Sequence, residues 1–180
     1  VPFERGWRVL DAGCGSGGFL QLLAELVGPA GRITALDLAP DNVAAVNGRI
    51  AAWDLPTPIE ARVGTLVELP FPAATFDAVW CANATQYLSD AELATALREL
   101  RRVVRPGGLV SIKDHAGAIR IEPTTTFFRE RVSLLDWDAA PKPGFRVPGA
   151  YRGPTLRAWL REAGYADVWA RSTIIERWAP

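Results

Sequence analysis

Residue types on which whole classes of protein depend are scarce in this chain of 180 residues. Its two cysteines, Cys14 and Cys81, form no CxxC pair and no cluster with the single histidine, which argues against a disulfide framework and a zinc site. No apolar run approaches the roughly 20 residues that cross a bilayer, and no signal-peptide pattern opens the chain. We therefore expect a cytoplasmic protein with no metal and no membrane contact.

The formal net charge is zero, because 20 basic residues balance 20 acidic ones. The total charge therefore gives no argument for nucleic acid or an anionic membrane as a partner, and it says nothing more about partners. We expect a small-molecule partner and no nucleic acid.

Short apolar runs alternate with amphipathic segments along the chain. The runs cover residues 8–11, 32–38, 59–63, 76–82 and 109–114, and their two apolar faces predict strands that are covered on both sides. Three helices are predicted between them, from Ser16 or Gly17 to Val27, from Asp41 to Trp53, and from a capping box at Ser89 to the "RPGG" stop at 105–108. A helix capped by Thr155 and a sixth strand at 166–175 complete the pattern. The alternation predicts an α/β fold, a doubly wound and mostly parallel sheet with helices on both faces.

The turn after the first predicted strand, in "VLDAGCGSGGFL", is rich in glycine. Such a turn exposes backbone N–H groups beside the positive end of a helix dipole and lets a ligand approach the backbone closely. Gly13, Gly15 and Gly18 match the dinucleotide pattern GxGxxG, whereas Asp11, Gly13, Gly15 and Gly17 match the acid-x-Gly-x-Gly-x-Gly pattern of S-adenosylmethionine enzymes. A plain connecting loop is the third alternative.

Two acids narrow the choice of cofactor. Asp37 ends the second predicted strand about 20 residues after the turn, where both cofactor classes place a carboxylate for the ribose hydroxyls. The alternative for Asp37 is a solvated acid that caps the helix after Pro40. Asp11 would repel a pyrophosphate at the turn, but it would attract the ammonium and sulfonium groups of S-adenosylmethionine. Asp11 therefore favours S-adenosylmethionine.

Four motifs occur in a familiar order and spacing: "VLDAGCGSG", "LDLAPDNV", "LPFPAATFDAVWC" and "LRELRRVVRPGGLVSIKD". With them the chain resembles the class I S-adenosylmethionine-dependent methyltransferases, in particular the small-molecule branch called methyltransferase type 11. The resemblance is close from Trp7 to about Asp114 and looser in "LREAGYADV". It implies a Rossmann-like fold and transfer of a methyl group from S-adenosylmethionine, with S-adenosylhomocysteine as product.

The resemblance also implies a set of cofactor-binding residues at the ends of the first four strands. Asp11 and Gly13 would lie against the methionine part, Gly15 would let the cofactor approach, and Asp37 would bind the ribose. The remaining members of the set are Cys14, Leu38 on the adenine ring, Thr65, Leu66, and Cys81 just past the fourth strand, where contact is mostly through backbone. Thr65 departs from the family pattern, in which an acid binds the adenine amino group, and its neutral hydroxyl should make a bond weaker by roughly 1 kcal/mol.

Residues after the fourth and fifth strands should face the methyl group, because ligands of open α/β sheets lie beyond the carboxyl ends of the strands. Asn83, Gln86 and Tyr87 are candidates to orient the acceptor, with Tyr87 also a candidate catalytic residue. His115 is a candidate substrate contact and proton acceptor. The alternatives are that Tyr87 is a core residue, that Gln86 and His115 are surface residues, and that alignment alone drives methyl transfer.

The stretch 116–154 lacks periodicity and carries several aromatic residues, so we expect it to form an insert that walls or covers the substrate. Its aromatic rings favour an apolar or aromatic small molecule, although they could simply anchor a long loop. We expect one methyltransferase domain over residues 1–180. We find no counterpart of the family's helix before the first strand and hardly any length for its seventh strand after Ile175, so we expect a piece of a longer protein.

The sequence thus predicts methyl transfer from S-adenosylmethionine to an oxygen, nitrogen or carbon atom of an apolar or aromatic small molecule. An NAD-dependent dehydrogenase is the alternative enzyme, disfavoured by Asp11 and by the lack of a Tyr-x-x-x-Lys pair. A catalytically silent interaction module with the cofactor fold is the third hypothesis.

Overall fold

A computed structural model describes residues 3–114 and 155–171 of the chain. Its strands are β1 (Arg8–Ala12), β2 (Arg32–Asp37), β3 (Ile59–Val63), β4 (Phe76–Ala82) and β5 (Val104–Lys113). Its helices are α1 (Leu20–Val27), α2 (Pro40–Ala52), α3 (Asp90–Val103) and α4 (Leu156–Glu162), with a 3₁₀ turn at Thr85–Tyr87.

The described strands form one parallel sheet in the order β3-β2-β1-β4-β5. The order reverses at β1, because β2 and β4 flank it on opposite sides. In a doubly wound sheet this reversal opens a crevice at the carboxyl ends of the strands, which is where such folds bind ligands. The predicted α/β class with a parallel sheet is confirmed.

Helices cover both faces of the sheet, as predicted. Leu10 of β1 packs on the face that carries α3, and its neighbour Val9 packs on the opposite face, in a cluster with α1 and α2 residues. Both side chains are fully buried, which explains why the strand is apolar at successive positions. On the α3 face, Tyr165 follows α4 and donates its hydroxyl to the Leu97 carbonyl at 2.8 Å.

Two predicted boundaries were wrong, and glycines with positive φ angles lie near both of them. Helix α1 begins at Leu20 and not at Ser16 or Gly17, because Gly15 and Gly17 hold φ angles of 54° and 84°, outside the helical region. Strand β5 begins at Val104 and not at residue 109, and the pairing is irregular opposite Phe76 to Ala78, where Gly107 has a φ of 74°.

The predicted sixth strand is wrong over its described part. Residues 166–171 lie in no strand, and Asp167 has a left-handed backbone (φ 51°) that an extended strand cannot contain. Residues 172–175, His115 and the predicted insert 116–154 lie outside the described residues. Within residues 3–114 and 155–171, no helix combines the length and apolarity that a membrane span requires.

Candidate functional site

The glycine turn lies between the end of β1 and the start of α1, at the point where the strand order reverses. The Gly13 and Cys14 N–H groups both donate to the Leu36 carbonyl, at 2.8 and 3.0 Å, which fixes the turn against the end of β2. Gly13 has a φ of 79°, and a Cβ atom there would lie 2.5 Å from the Cβ atom of Ala84. Gly15 has a φ of 54°, yet a Cβ atom there would meet nothing within 4 Å. The turn is therefore open at Gly15, where a ligand can reach the backbone.

Asp37, at the end of β2, joins this turn to the start of α2. Its Oδ2 atom accepts a hydrogen bond from the Gly15 N–H at 2.8 Å. Its Oδ1 atom accepts from the Ala39 N–H at 3.0 Å and from the Asn42 amide at 2.9 Å. The contacts at Oδ1 fix Asp37 to the start of α2, but neither is to a backbone N–H group inside that helix, so they do not make the helix cap that the sequence left open. A carboxylate oxygen accepts about two hydrogen bonds, so Oδ2 retains capacity for a ligand hydroxyl.

Asp11 is a buried carboxyl group at the end of β1, with 1% of its surface exposed. Its Oδ2 atom is shielded from solvent and has no hydrogen-bond partner. Burial, together with the nearby Asp37 carboxylate, raises the pKa of Asp11 to about 7. A cationic group at this position would provide the missing partner and stabilise the ionised form. The chemistry of this carboxyl group therefore fits the ammonium of S-adenosylmethionine and disfavours a pyrophosphate.

Both cysteines are buried, and neither presents a reactive thiolate. Burial, with Asp11 and Asp37 nearby, raises the pKa of Cys14 to about 12. Cys81 lies inside β4, not just past it as predicted, and burial followed by the charges of Asp11 and Asp114 raises its thiol pKa further. Cys81 packs in the core on the α3 face, so its side chain offers no surface to a cofactor.

The residues predicted for the adenine ring lie beyond β2 and β3. Leu38 is 71% exposed and Val63 is also exposed, which leaves apolar surface at these two strand ends. The Thr65 hydroxyl accepts a hydrogen bond from the Val67 N–H at 3.3 Å. The side chain of Leu66 is buried in the core, so only its backbone is available to a ligand.

The residues predicted to face the acceptor lie in the loop after β4. Asn83 has a left-handed backbone (φ 57°), which asparagine tolerates better than most residues, and its carbonyl accepts from the Gln86 amide at 2.8 Å. The side-chain oxygen of Asn83 accepts from Lys113 Nζ at 2.8 Å. Tyr87 is 49% exposed, so the alternative of a core tyrosine is wrong.

Two polar residues that sequence reasoning missed lie in the same place. Thr85 is buried in the 3₁₀ turn and donates its hydroxyl to Asp114 Oδ2. Asp114 follows the last residue of β5, and its Oδ1 atom is buried without a partner. Asp114 ends the fifth predicted strand, and the sequence does not show that Thr85 would reach it. Nowhere in residues 3–114 and 155–171 do three or more possible metal ligands come together.

The sheet is parallel and doubly wound, and its glycine turn is open at the strand-order reversal. An unpartnered acid lies at that turn. This combination is typical of the class of proteins that bind S-adenosylmethionine. Residues 9–108 match the family model described as a methyltransferase domain, and the chain belongs to that family. S-adenosylmethionine is accordingly the cofactor, and the dinucleotide alternative is not supported.

Individual relatives agree with this assignment. A demethylmenaquinone methyltransferase of Listeria monocytogenes serotype 4a (strain HCC23) is 32% identical over 111 residues, which cover 62% of this chain and 46% of that protein. The chain spans about half the length of the curated relatives it matches.

Solved structures are also similar. A SAM-dependent methyltransferase from Aquifex aeolicus has a TM-score of 0.59 and 27% identity, over 77% of this chain and 74% of that one. The [4+2]-cyclase SpnF has a TM-score of 0.66 and 25% identity, over 90% of this chain and 53% of that one. The same fold therefore also carries reactions other than methyl transfer.

Proposed function

We propose that this chain transfers a methyl group from S-adenosylmethionine to a hydroxyl-bearing aromatic small molecule of the quinol class. The observation that carries the proposal is the buried, unpartnered Oδ2 atom of Asp11 beside the open turn at Gly15. A carboxyl group in this state lacks a cationic partner, and the ammonium of S-adenosylmethionine supplies one. In this arrangement Gly15 allows the methionine part to approach the backbone, and Gly13 makes room for Ala84 beside it.

The nucleoside part of the cofactor would extend along the ends of β2 and β3. Asp37 Oδ2 would accept a hydrogen bond from a ribose hydroxyl in addition to the one from Gly15. The exposed side chain of Leu38 would pack on the adenine ring, which explains its position on the surface. Thr65 would offer its hydroxyl to the adenine amino group, and Leu66 would contribute through its backbone.

The cofactor supplies an electrophilic methyl group on a sulfonium centre. The protein's contribution is to hold an acceptor atom in line with that methyl group, and such alignment can supply much of the rate enhancement. Asn83, Gln86 and Tyr87 lie at the adjacent strand end and are our candidates for orienting the acceptor. Support for a quinol acceptor, the reduced form of a quinone, comes from relatives named demethylmenaquinone methyltransferases.

The test is a methyl-transfer assay on the 180-residue chain with labelled S-adenosylmethionine and a short-chain demethylmenaquinone kept reduced under anaerobic conditions. We expect labelled product from the wild-type chain. Asp37→Ala should weaken S-adenosylmethionine binding by about 1.5–3 kcal/mol, the cost of removing a charged hydrogen-bond acceptor. Asp41→Ala removes an exposed acid at the start of α2 and is the matched control.

Calorimetry of cofactor binding, together with the methyl-transfer assay, tests the cofactor site and the acceptor separately. Cofactor binding with no labelled product from a panel of quinols and phenols would leave the alternative of a silent cofactor-fold module. Unchanged affinity in a folded Asp37→Ala protein would contradict the ribose assignment.

A further inference from the structure

The loop after β4 and the end of β5 are connected by three hydrogen bonds between polar groups. The Asn83 N–H donates to the Lys113 carbonyl at 2.7 Å, and Lys113 Nζ donates to Asn83 Oδ1 at 2.8 Å. The third bond is donated by the Thr85 hydroxyl to Asp114 Oδ2. These bonds fix the Asp114 carboxyl group at the carboxyl edge of the sheet, on the side of β1 away from the adenine residues.

One oxygen of the Asp114 carboxyl group accepts a hydrogen bond from Thr85, and the other oxygen accepts none within the described residues. Thr85 is itself buried, so its bond to Oδ2 sets the orientation of the group. Oδ1 is shielded from solvent and accepts no hydrogen bond within the described chain. A buried acceptor without a donor destabilises the folded chain, and a ligand that brings an O–H or N–H group removes that cost.

We propose that Asp114 is a specificity-determining residue, whose Oδ1 atom accepts a hydrogen bond from a hydroxyl or amine of the methyl acceptor. The inference rests on the proposed function, because it needs an acceptor bound at this edge of the sheet. The site then prefers aromatic molecules that carry a hydrogen-bond donor over the same molecules with the donor capped. The preference arises because a capped molecule leaves Oδ1 buried and unpartnered, and such a loss is a strong source of discrimination.

The test compares two probes that differ only in the donor, 1,4-dihydroxynaphthalene and 1,4-dimethoxynaphthalene, bound to the 180-residue chain saturated with S-adenosylhomocysteine under anaerobic conditions. We expect the wild-type chain to bind the dihydroxy probe at least tenfold more tightly. Asp114→Asn keeps the shape of the side chain but places an amide where a carboxylate stood, and it should reduce the preference to less than threefold. Asp54→Asn removes an exposed carboxylate after α2 and should keep the full preference.

Two further measurements separate specificity from folding. Both variants should bind S-adenosylhomocysteine as the wild type does, and Thr85→Val, which releases Oδ2, should lower the preference to a value between those of wild type and Asp114→Asn. An Asp114→Asn protein that retains the tenfold preference overturns this inference and leaves the proposed function intact. A wild-type chain that binds S-adenosylhomocysteine but neither probe overturns the quinol acceptor and this inference together.

Discussion

At the scale of single residues, Asp11 places a carboxyl group with a pKa of about 7 in a buried position. The ordinary pKa of this group is 3.8. At a pH between 3.8 and about 7, Asp11 therefore holds a proton in the folded chain that it has released in the unfolded chain. Stability in the absence of cofactor must therefore fall, through this group, as the pH rises from about 4 to about 7, and stay level above that. The cost reflects burial first and the Asp37 carboxylate second.

We expect Asp11→Asn to make the cofactor-free chain more stable than wild type at pH 8, by up to about 4 kcal/mol. The difference should shrink as the pH is lowered towards 4, where wild-type Asp11 is protonated in both states. Urea unfolding at pH 4, 6 and 8 measures it, with Asp41→Asn as an exposed control. The same variant should bind S-adenosylmethionine more weakly. A variant that is less stable than wild type at pH 8 would show that Asp11 has a stabilising partner.

Some site residues could be predicted from the sequence and others could not, for a physical reason. Asp11 and Gly15 belong to one continuous turn, and Asp37 ends the next strand, so short-range spacing was enough to find them. Thr85 and Asp114 are 29 residues apart and meet only because β4 and β5 are adjacent in the sheet. A contact of this kind depends on strand order, which the sequence does not state.

At the scale of elements, helix α3 has the strongest terminal signal in the chain. Ser89 Oγ accepts from the Glu92 N–H at 3.3 Å, and Glu92 Oε2 accepts from the Ser89 N–H at 2.8 Å. This reciprocal capping box was predicted from the "SDAE" spacing and is confirmed. Helix α1 has no such signal, because its first turn follows glycines whose positive φ angles depend on how the turn packs. For that reason its start could not be predicted from apolar spacing.

We expect Ser89→Ala to lower the free energy of unfolding by about 1 kcal/mol, because the first turn of α3 loses its capping acceptor. Thr95→Ala, in the middle of the same helix, should change stability by less than about 0.5 kcal/mol. Urea denaturation of both variants with equal m-values measures the difference. Equal losses in the two proteins would mean that the capping box does not stabilise α3.

At the scale of the whole molecule, the proposed cofactor site lies between the two halves of the sheet. The proposed cofactor residues lie at the ends of β1, β2 and β3, whereas the proposed acceptor residues follow β4 and β5. Since β1 is hydrogen-bonded to both β2 and β4, the glycine turn lies between the two sets. A ligand that binds only the folded chain stabilises all of these elements together.

Thermal unfolding measures the stabilisation that cofactor binding gives to the folded chain. At 100 times its Kd, S-adenosylhomocysteine should stabilise the folded chain by about 2.7 kcal/mol, which raises the Tm by about 5–10 °C for a domain of this size, whereas NAD should produce no shift.

Gly15→Val should abolish the shift, because a β-branched side chain resists a φ of 54° and would occupy the open space at the turn. Gly18→Ala is the matched control, since its Cβ atom would also meet nothing within 4 Å but its φ is not positive, and it should retain the full shift. A Gly15→Val protein that is folded and still stabilised by S-adenosylhomocysteine would place the cofactor elsewhere on the molecule.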